Sequence, residues 1–276
     1  MRVLLLYLLS GCNLAFPLSP APTDGSPPTD GPIGSVECPA FGTAPRYGSE
    51  LFTRAPSCFE YTEDLTGHGL ASCGGSFAEI PLDDAPISIP IFKDSLQTQY
   101  RQPRLAPEGG QIFTLVRDDA TGLFTIQTSV KSGTEWGTPS LVTAPNEPQL
   151  LTAVLGIGTP TTGPRPRMMI NTSDGIHEVE VNGLDMRTVE TYGFDDLGFM
   201  FIQTPNLTSD GLRAVGQGVG ESEQPIFYLE RESLDVPFET AVRIEGAPIS
   251  NDVFMTSNCA RLYAASAGKV LFARQL

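Results

Sequence analysis

Short apolar runs alternate along most of this chain with clusters of Gly, Pro, Asp, Asn and Ser. No stretch carries the apolar spacing of a convincing amphipathic helix. The pattern predicts many short strands joined by polar turns. One unit of strand, polar turn and strand recurs. Gln111–Val116 leads through residues 117–122 into Leu123–Val130, and Met168–Ile170 leads through 171–175 into Ile176–Val181. Leu212–Val215 leads through a Gly-rich turn into Pro225–Glu230, and Arg261–Ala265 leads through 266–268 into Lys269–Arg274. Aligned on Gly122, Gly175, Gln224 and Gly268, the copies are spaced by 53, 49 and 44 residues.

Two copies agree in finer detail. Leu105-Ala106-Pro107-Glu108-Gly109 and Leu207-Thr208-Ser209-Asp210-Gly211 each precede a strand, and Trp136 and Phe238 each follow the closing glycine by 27 residues. Met255–Tyr263 is a third version, with Asn258-Cys259 in the acid-Gly position. An acid-Gly pair supplies a tight turn that needs positive φ, and the aromatic is suited to fill the space between neighbouring units. Spacings near 40–50 residues belong to propeller blades, in which one small sheet cannot bury both faces alone and must stack on the next. These residues resemble the TolB-type, WD-like β-propeller repeat, and the resemblance covers about residues 98–276. It implies a six-bladed ring. The chain itself predicts an all-β propeller of five or six blades over residues 36–276, with a β-sandwich as the alternative. A ring must close, and a strand from the N-terminal side is expected to complete the last blade beside Val270–Arg274.

The N-terminus has a different character. Arg2 precedes the unbroken apolar run Val3–Leu9, which is too short to span a bilayer core of about 30 Å. Leu9-Ser10-Gly11-Cys12 resembles the lipobox of bacterial lipoproteins. The resemblance implies cleavage between Gly11 and Cys12, removal of residues 1–11, and lipidation of Cys12. Asn13 stands where an Asp favours inner-membrane retention in enterobacterial lipoproteins, so the expected location is the outer membrane, with the body facing the periplasm or the surface. Residues 12–35 hold a Pro/Gly-rich stretch in which Pro-Thr-Asp-Gly occurs at 22–25 and again at 28–31. Such a segment is expected to act as a tether reaching roughly 70 Å if fully extended.

Charge and cysteines narrow the setting. The 17 basic and 32 acidic side chains give a net charge of −15, which argues against nucleic acid as a partner and leaves the lipid on Cys12 as the membrane contact. Beyond Cys12 there are four cysteines, an even number suited to disulfides in an exported protein, with three possible connectivities. Cys58–Cys73 lies in a turn-rich stretch and is the first choice; Cys38–Cys259 is the second, with Cys259 as a buried thiol the alternative. A monomer is expected.

The search for catalytic chemistry returns little. No Gly-x-Ser-x-Gly elbow and no Cys-x-x-Cys pair occur, and the two histidines, His68 and His177, lie far apart. His68 reads as a loop residue and His177, alternating with apolar neighbours, as a solvent-facing strand residue. The acids at Asp83, Asp84, Asp118, Asp119, Asp195 and Asp196 read as turn formers. Ser129–Trp136 keeps the Ser, Gly and Trp of a sialidase-type turn but has Lys131 in the Asp position. Asn171-Thr172-Ser173 and Asn206-Leu207-Thr208 fit the glycosylation sequon, but read as chance in a bacterial chain. No metal site, cofactor or catalytic residue is assigned. The expectation is a non-enzymatic lipoprotein whose ring binds a protein or glycan. A carbohydrate-active enzyme and a structural ring without a specific ligand are the alternatives.

Overall fold

The computed structural model describes residues 37–82, 86–95, 97–219, 224–239, 241–244 and 252–276. Gly11, Cys12, the tether, Asp83 and Asp84 lie outside the described residues. The first strand, β1 (Phe52–Pro56), belongs to the last sheet of the chain. Blade A then follows as β2 (Cys58–Glu63), β3 (Gly69–Cys73), β4 (Ser76–Ile80) and β5 (Ile87–Lys93). Blade B is β6 (Thr98–Leu105), β7 (Gln111–Asp118), β8 (Phe124–Ser132) and β10 (Ser140–Leu141), with the short β9 (Glu135–Trp136) paired on β8. After a single helical turn, α1 (Pro148–Thr152), blade C is β11 (Val154–Ile157), β12 (Arg167–Thr172), β13 (Ile176–Asn182) and β14 (Asp185–Tyr192). Blade D is β15 (Phe201–Leu207), β16 (Arg213–Val219), β17 (Ile226–Glu230) and β18 (Val242–Arg243). Blade E is β19 (Val253–Met255), β20 (Arg261–Ser266) and β21 (Lys269–Arg274), completed by β1, which pairs antiparallel with β21.

This is a five-bladed β-propeller, not the six-bladed ring implied by the sequence resemblance and not a sandwich. The first strands of successive blades touch one another around the axis. Residues 37–51 add no blade. They run beside the C-terminus, where Tyr47 bridges Gln275 and the Gly48 N–H donates to the Arg274 carbonyl at 2.9 Å.

The core is divided among the five seams between blades. Leu70, Phe77, Phe92, Leu105 and Ile112 fill the A/B seam. Ile126, Val154, Met168 and Val179 fill B/C, and Met169, Tyr192, Phe227 and Phe238 fill C/D. Val215, Tyr228, Val253 and Leu262 fill D/E, and Tyr61, Ala71, Tyr263 and Phe272 fill E/A. Each sheet is therefore covered on both faces, as a buried sheet requires. His177 shows the consequence. It is half-buried beside Asp174 and Thr191, not simply solvent-facing, and the neighbouring Glu178 is buried inside a seam. A bulge at Glu178/Val179 in the β13–β14 ladder breaks the alternation on which the strand reading relied.

The acid-Gly turns are the blades' first-to-second-strand turns, and those of blades D and E share their side-chain bonding. The Thr208 hydroxyl donates to Asp210 at 2.6 Å and accepts from the Arg213 N–H at 3.1 Å. The Thr256 hydroxyl donates to Asn258 at 2.8 Å and accepts from the Arg261 N–H at 3.1 Å. Gly211 sits at φ 70° and Cys259 at φ 60°. Cys259 thus takes a left-handed conformation natural for Gly, and in doing so reaches Cys38 in one of the two disulfides, Cys38–Cys259. The other, Cys58–Cys73, links residues directly opposite each other on β2 and β3.

Candidate functional site

The inner ends of the seams are stapled around the axis. β2, β6, β11 and β15 each carry a register break in their ladders. At two of these breaks lie Glu60 and Gln102, with φ of 58° and 49°. The Gln102 N–H donates to Glu60 Oε2 at 3.0 Å, and Gln102 Oε1 accepts from the Ile157 N–H at 2.8 Å, tying blades A, B and C together. Asn206 Oδ1 accepts from the Thr159 N–H and Asn206 Nδ2 donates to the Val253 carbonyl, tying C, D and E. Buried Arg104 reaches past blade A's neighbour position to clasp Asp252 at 2.9 and 3.3 Å. Burial, reinforced by the Asp252 charge, pushes the Glu60 carboxyl up to about 7. Both sequon asparagines, Asn171 and Asn206, are buried, with their amides committed to backbone carbonyls.

The outer end of the A/B seam is open. Its floor is the hairpin of β8 and β9, turned by Gly133 at φ 64°. Lys131 and Trp136 are cross-strand partners on this hairpin, and the Ser129 hydroxyl anchors its base on the Gly137 carbonyl at 2.6 Å. Glu79, near the end of β4 in blade A, faces them. Its Oε1 accepts from Lys131 Nζ at 2.5 Å and from the Trp136 indole N–H at 2.7 Å, and Nζ lies 5.2 Å from the indole centroid. A cleft of about 420 Å³ opens on one side of this trio, lined among others by Asp64 and His68 from the β2–β3 turn and Glu108 from the β6–β7 turn. A second cleft of about 320 Å³ opens on the other side, lined by Ile87–Ile91 of β5 with Thr134 and Glu135. Glu79 and Trp136 line both clefts.

Polar groups in the first cleft are held in place. Asp64 Oδ1 accepts from the Thr66 N–H at 2.8 Å, the Thr66 hydroxyl at 2.7 Å and the His68 N–H at 3.1 Å. Its Oδ2 lies 3.9 Å from His68 Nδ1. Glu108 Oε1 accepts from the Gly163 N–H at 3.2 Å. Such a cleft offers an aromatic edge, three carboxylates, a lysine and an imidazole from two turns, a strand and a hairpin.

Of the residues singled out in the sequence, the structure brings Trp136, Lys131 and His68 into this cleft. His177 lies on blade C. Asp118 is a turn builder: its Oδ1 accepts from the Ala120 and Thr121 N–H groups, which hold its carboxyl below the usual range. Asp195 and Asp196 begin a single 3₁₀ turn. Sequence reasoning missed Glu79, Asp64 and Glu108 as neighbours of Trp136, and also the axial Glu60, Gln102, Arg104 and Asp252. The separation of 57 positions between Glu79 and Trp136 carries no local signal of their meeting. Among the described residues, no group of three or more His, Cys, Asp or Glu is placed to hold a metal ion.

No protein-family model matches the sequence, and no curated protein matches it. Several solved propellers share the fold. TolB from Acinetobacter baumannii is 8% identical with a TM-score of 0.47, covering 75% of this chain and 51% of its own. A gluconolactonase from Xanthomonas campestris is 7% identical with a TM-score of 0.48, covering 78% and 71%. An aldose sugar dehydrogenase from Streptomyces coelicolor, bound to PQQ, is 10% identical with a TM-score of 0.43, covering 84% and 100%. The chain spans about half the length of the Acinetobacter TolB. These likenesses concern the fold, and they correct one expectation. Enzymes and TolB share this ring, so the expectation of a non-enzyme, drawn from repeats without an evident triad, does not stand. The cleft adds a physical reason: carboxylates and a histidine that lie apart in sequence converge in it.

Proposed function

We propose that the chain is an exported, lipid-anchored propeller that recognises a component of the cell envelope at the open A/B seam. The observation that carries this reading is the position of Trp136, the sole tryptophan. It is clamped by Glu79 and Lys131 where two clefts meet. A rigid aromatic with charged groups fixed around it is how a binding site obtains contact area at low ordering cost. Two disulfides support an oxidising, exported location. The lipobox-like Leu9–Cys12 supports anchoring through Cys12, and with Asn13 behind it the anchor is assigned to the outer membrane.

Two measurements test the reading. Mass spectrometry of the membrane-extracted protein is expected to find a chain that starts at an acylated Cys12; an uncleaved, unmodified chain in the cytosol overturns the anchor. Because the emission comes from one indole, titration with peptidoglycan fragments, lipopolysaccharide and envelope peptides reads the seam directly. A saturable shift is expected, with calorimetric binding lost in Trp136→Ala; no response across the panel overturns recognition. The carboxylates of Asp64, Glu79 and Glu108 in one cleft favour a second reading, carbohydrate turnover by a carboxylate pair. A chromogenic glycoside panel, with Glu79→Gln and Glu108→Gln alongside, decides it.

A further inference from the structure

We infer that the ligand of the A/B seam is an extended peptide segment that carries basic and aliphatic residues and lies along the open edge of β5. The inference rests on the recognition reading above and names the chemistry of its ligand. Its first support is geometric. The cleft beside β5 is lined by five consecutive residues, Ile87, Ser88, Ile89, Pro90 and Ile91. The β4–β5 register jumps from Phe77↔Ile89 to Ser76↔Lys93, so Ile87–Ile89 form the regular strand and Pro90–Phe92 bulge from the ladder beside it. β5 is the outermost strand of blade A and pairs with β4 alone among the described strands, so its other edge offers unused backbone groups. Added strands take main-chain hydrogen bonds from such an edge and seat side chains in flanking pockets. Pro90 withdraws one donor where the bulge begins, which leaves the bonding to Ile87–Ile89.

The second support is complementarity. Ile87 and Ile91 are exposed, giving the groove an aliphatic wall. Past Trp136 the adjoining cleft holds Asp64, Glu79 and Glu108 against one lysine, Lys131. Lys131 and the indole both use Glu79 Oε1, and Gly163 uses Glu108 Oε1, so each of these carboxylates keeps its Oε2 for an incoming donor. An exposed Glu135 stands on the β5 side. A chain of net charge −15 also draws a cationic segment toward it and repels an acidic one. A strand-shaped ligand with an aliphatic side chain against Ile87 and Ile91 and a basic one beyond Trp136 satisfies both halves.

The test uses the mature chain and blocked seven-residue peptides, followed by Trp136 emission and calorimetry. The probes are a peptide alternating Lys with Ile and Val, its counterpart with Glu for Lys, and the basic peptide N-methylated at alternate amides. A glucosamine tetramer serves as a cationic ligand without a peptide backbone. The basic peptide is expected to shift the emission saturably. The acidic and N-methylated peptides should each bind about tenfold more weakly or worse, and Glu108→Gln should weaken the basic peptide several-fold, as loss of a charge-assisted bond does. Glu108 is exposed, so an unchanged unfolding midpoint in Glu108→Gln is expected and keeps the result free of folding effects. Equal binding of the acidic or N-methylated peptide overturns the inference. If the tetramer or an envelope glycan shifts the emission and no peptide does, the peptide inference falls while recognition at the seam stands. If nothing does, both fall.

Discussion

In the C/D seam, Glu178 is 0% exposed and grips Arg231 at 2.7 and 2.8 Å, with Arg167 and the Tyr192 hydroxyl on the same carboxylate. In the A/B seam the facing carboxylate is Glu79, 31% exposed, and one of its oxygens serves both Lys131 and Trp136. The two seams use comparable parts. Trp136 and Phe238 each follow an acid-Gly turn by 27 residues, and each has a cation against its ring, Lys131 at 5.2 Å and Arg231 at 4.3 Å. What differs is the fit. Planar Arg231 meets a carboxylate at two points and stacks on a buried ring, which closes the seam to water. Flexible Lys131 is a point charge on a half-buried indole, and the seam stays open on both sides of it. At these two junctions the repeat supplies an aromatic, a cation and an acid. Whether they weld the blades or face a ligand is decided by how completely they are dried.

The largest effect should come from breaking the weld. Glu178→Gln leaves Arg231 buried without its counter-charge, so a loss of about 3–5 kcal/mol is expected by urea denaturation. A loss under 1 kcal/mol would mean that the C/D seam is as wet as A/B and that the contrast is one of shape only.

Much of this ring was legible before the structure. The strand–turn–strand copies are the second and third strands of blades B to E, and in blades B, C and E the glycine that marks the turn takes positive φ, at Gly122, Gly175 and Gly268. Blade A escaped notice. Its turn at Gly74-Gly75 falls 47 residues before Gly122, in step with the others, but its second and third strands are only five residues each and no acid-Gly turn precedes them. The seams were not legible. Glu79 meets Trp136, and Glu178 meets Arg231, only because successive sheets stack, and nothing in the chain between these pairs, 57 and 53 positions apart, records that. His177 illustrates the same limit: alternation predicts one wet face, whereas its sheet packs against a neighbour on each side and a bulge at Glu178/Val179 breaks the alternation.

A second effect locates where the A/B seam does close. Glu60 joins blade A to Gln102 of blade B at the axis, and its carboxyl titrates at about 7 against an ordinary 4.5. The folded state thus holds this proton more tightly than the unfolded chain. Stability from this group is full below pH 4.5 and is lost as pH rises through 7. Between pH 4.5 and 8 this group is expected to cost the wild type on the order of 2 kcal/mol in urea melts, and Glu60→Gln should show a shallower slope, with Glu63, whose carboxyl burial also raises, supplying part of what remains. An equal slope in both proteins would place the proton elsewhere and leave the axis without a part in the seam's stability.

The smallest effect is the one on which function turns. Lys131→Ala removes the cation from the open seam. Both its partners are partly exposed, with Lys131 at 26%, so the stability change should be under about 1 kcal/mol. The indole should respond more than the fold does: without Nζ, Glu79 Oε1 serves Trp136 alone and the emission should move although the melting curve barely does. That separation distinguishes a site from a weld: its groups are held in place without carrying the fold. A loss of 2 kcal/mol or more in Lys131→Ala would make A/B a second weld, remove the distinction from C/D, and with it the reason to look for a ligand there.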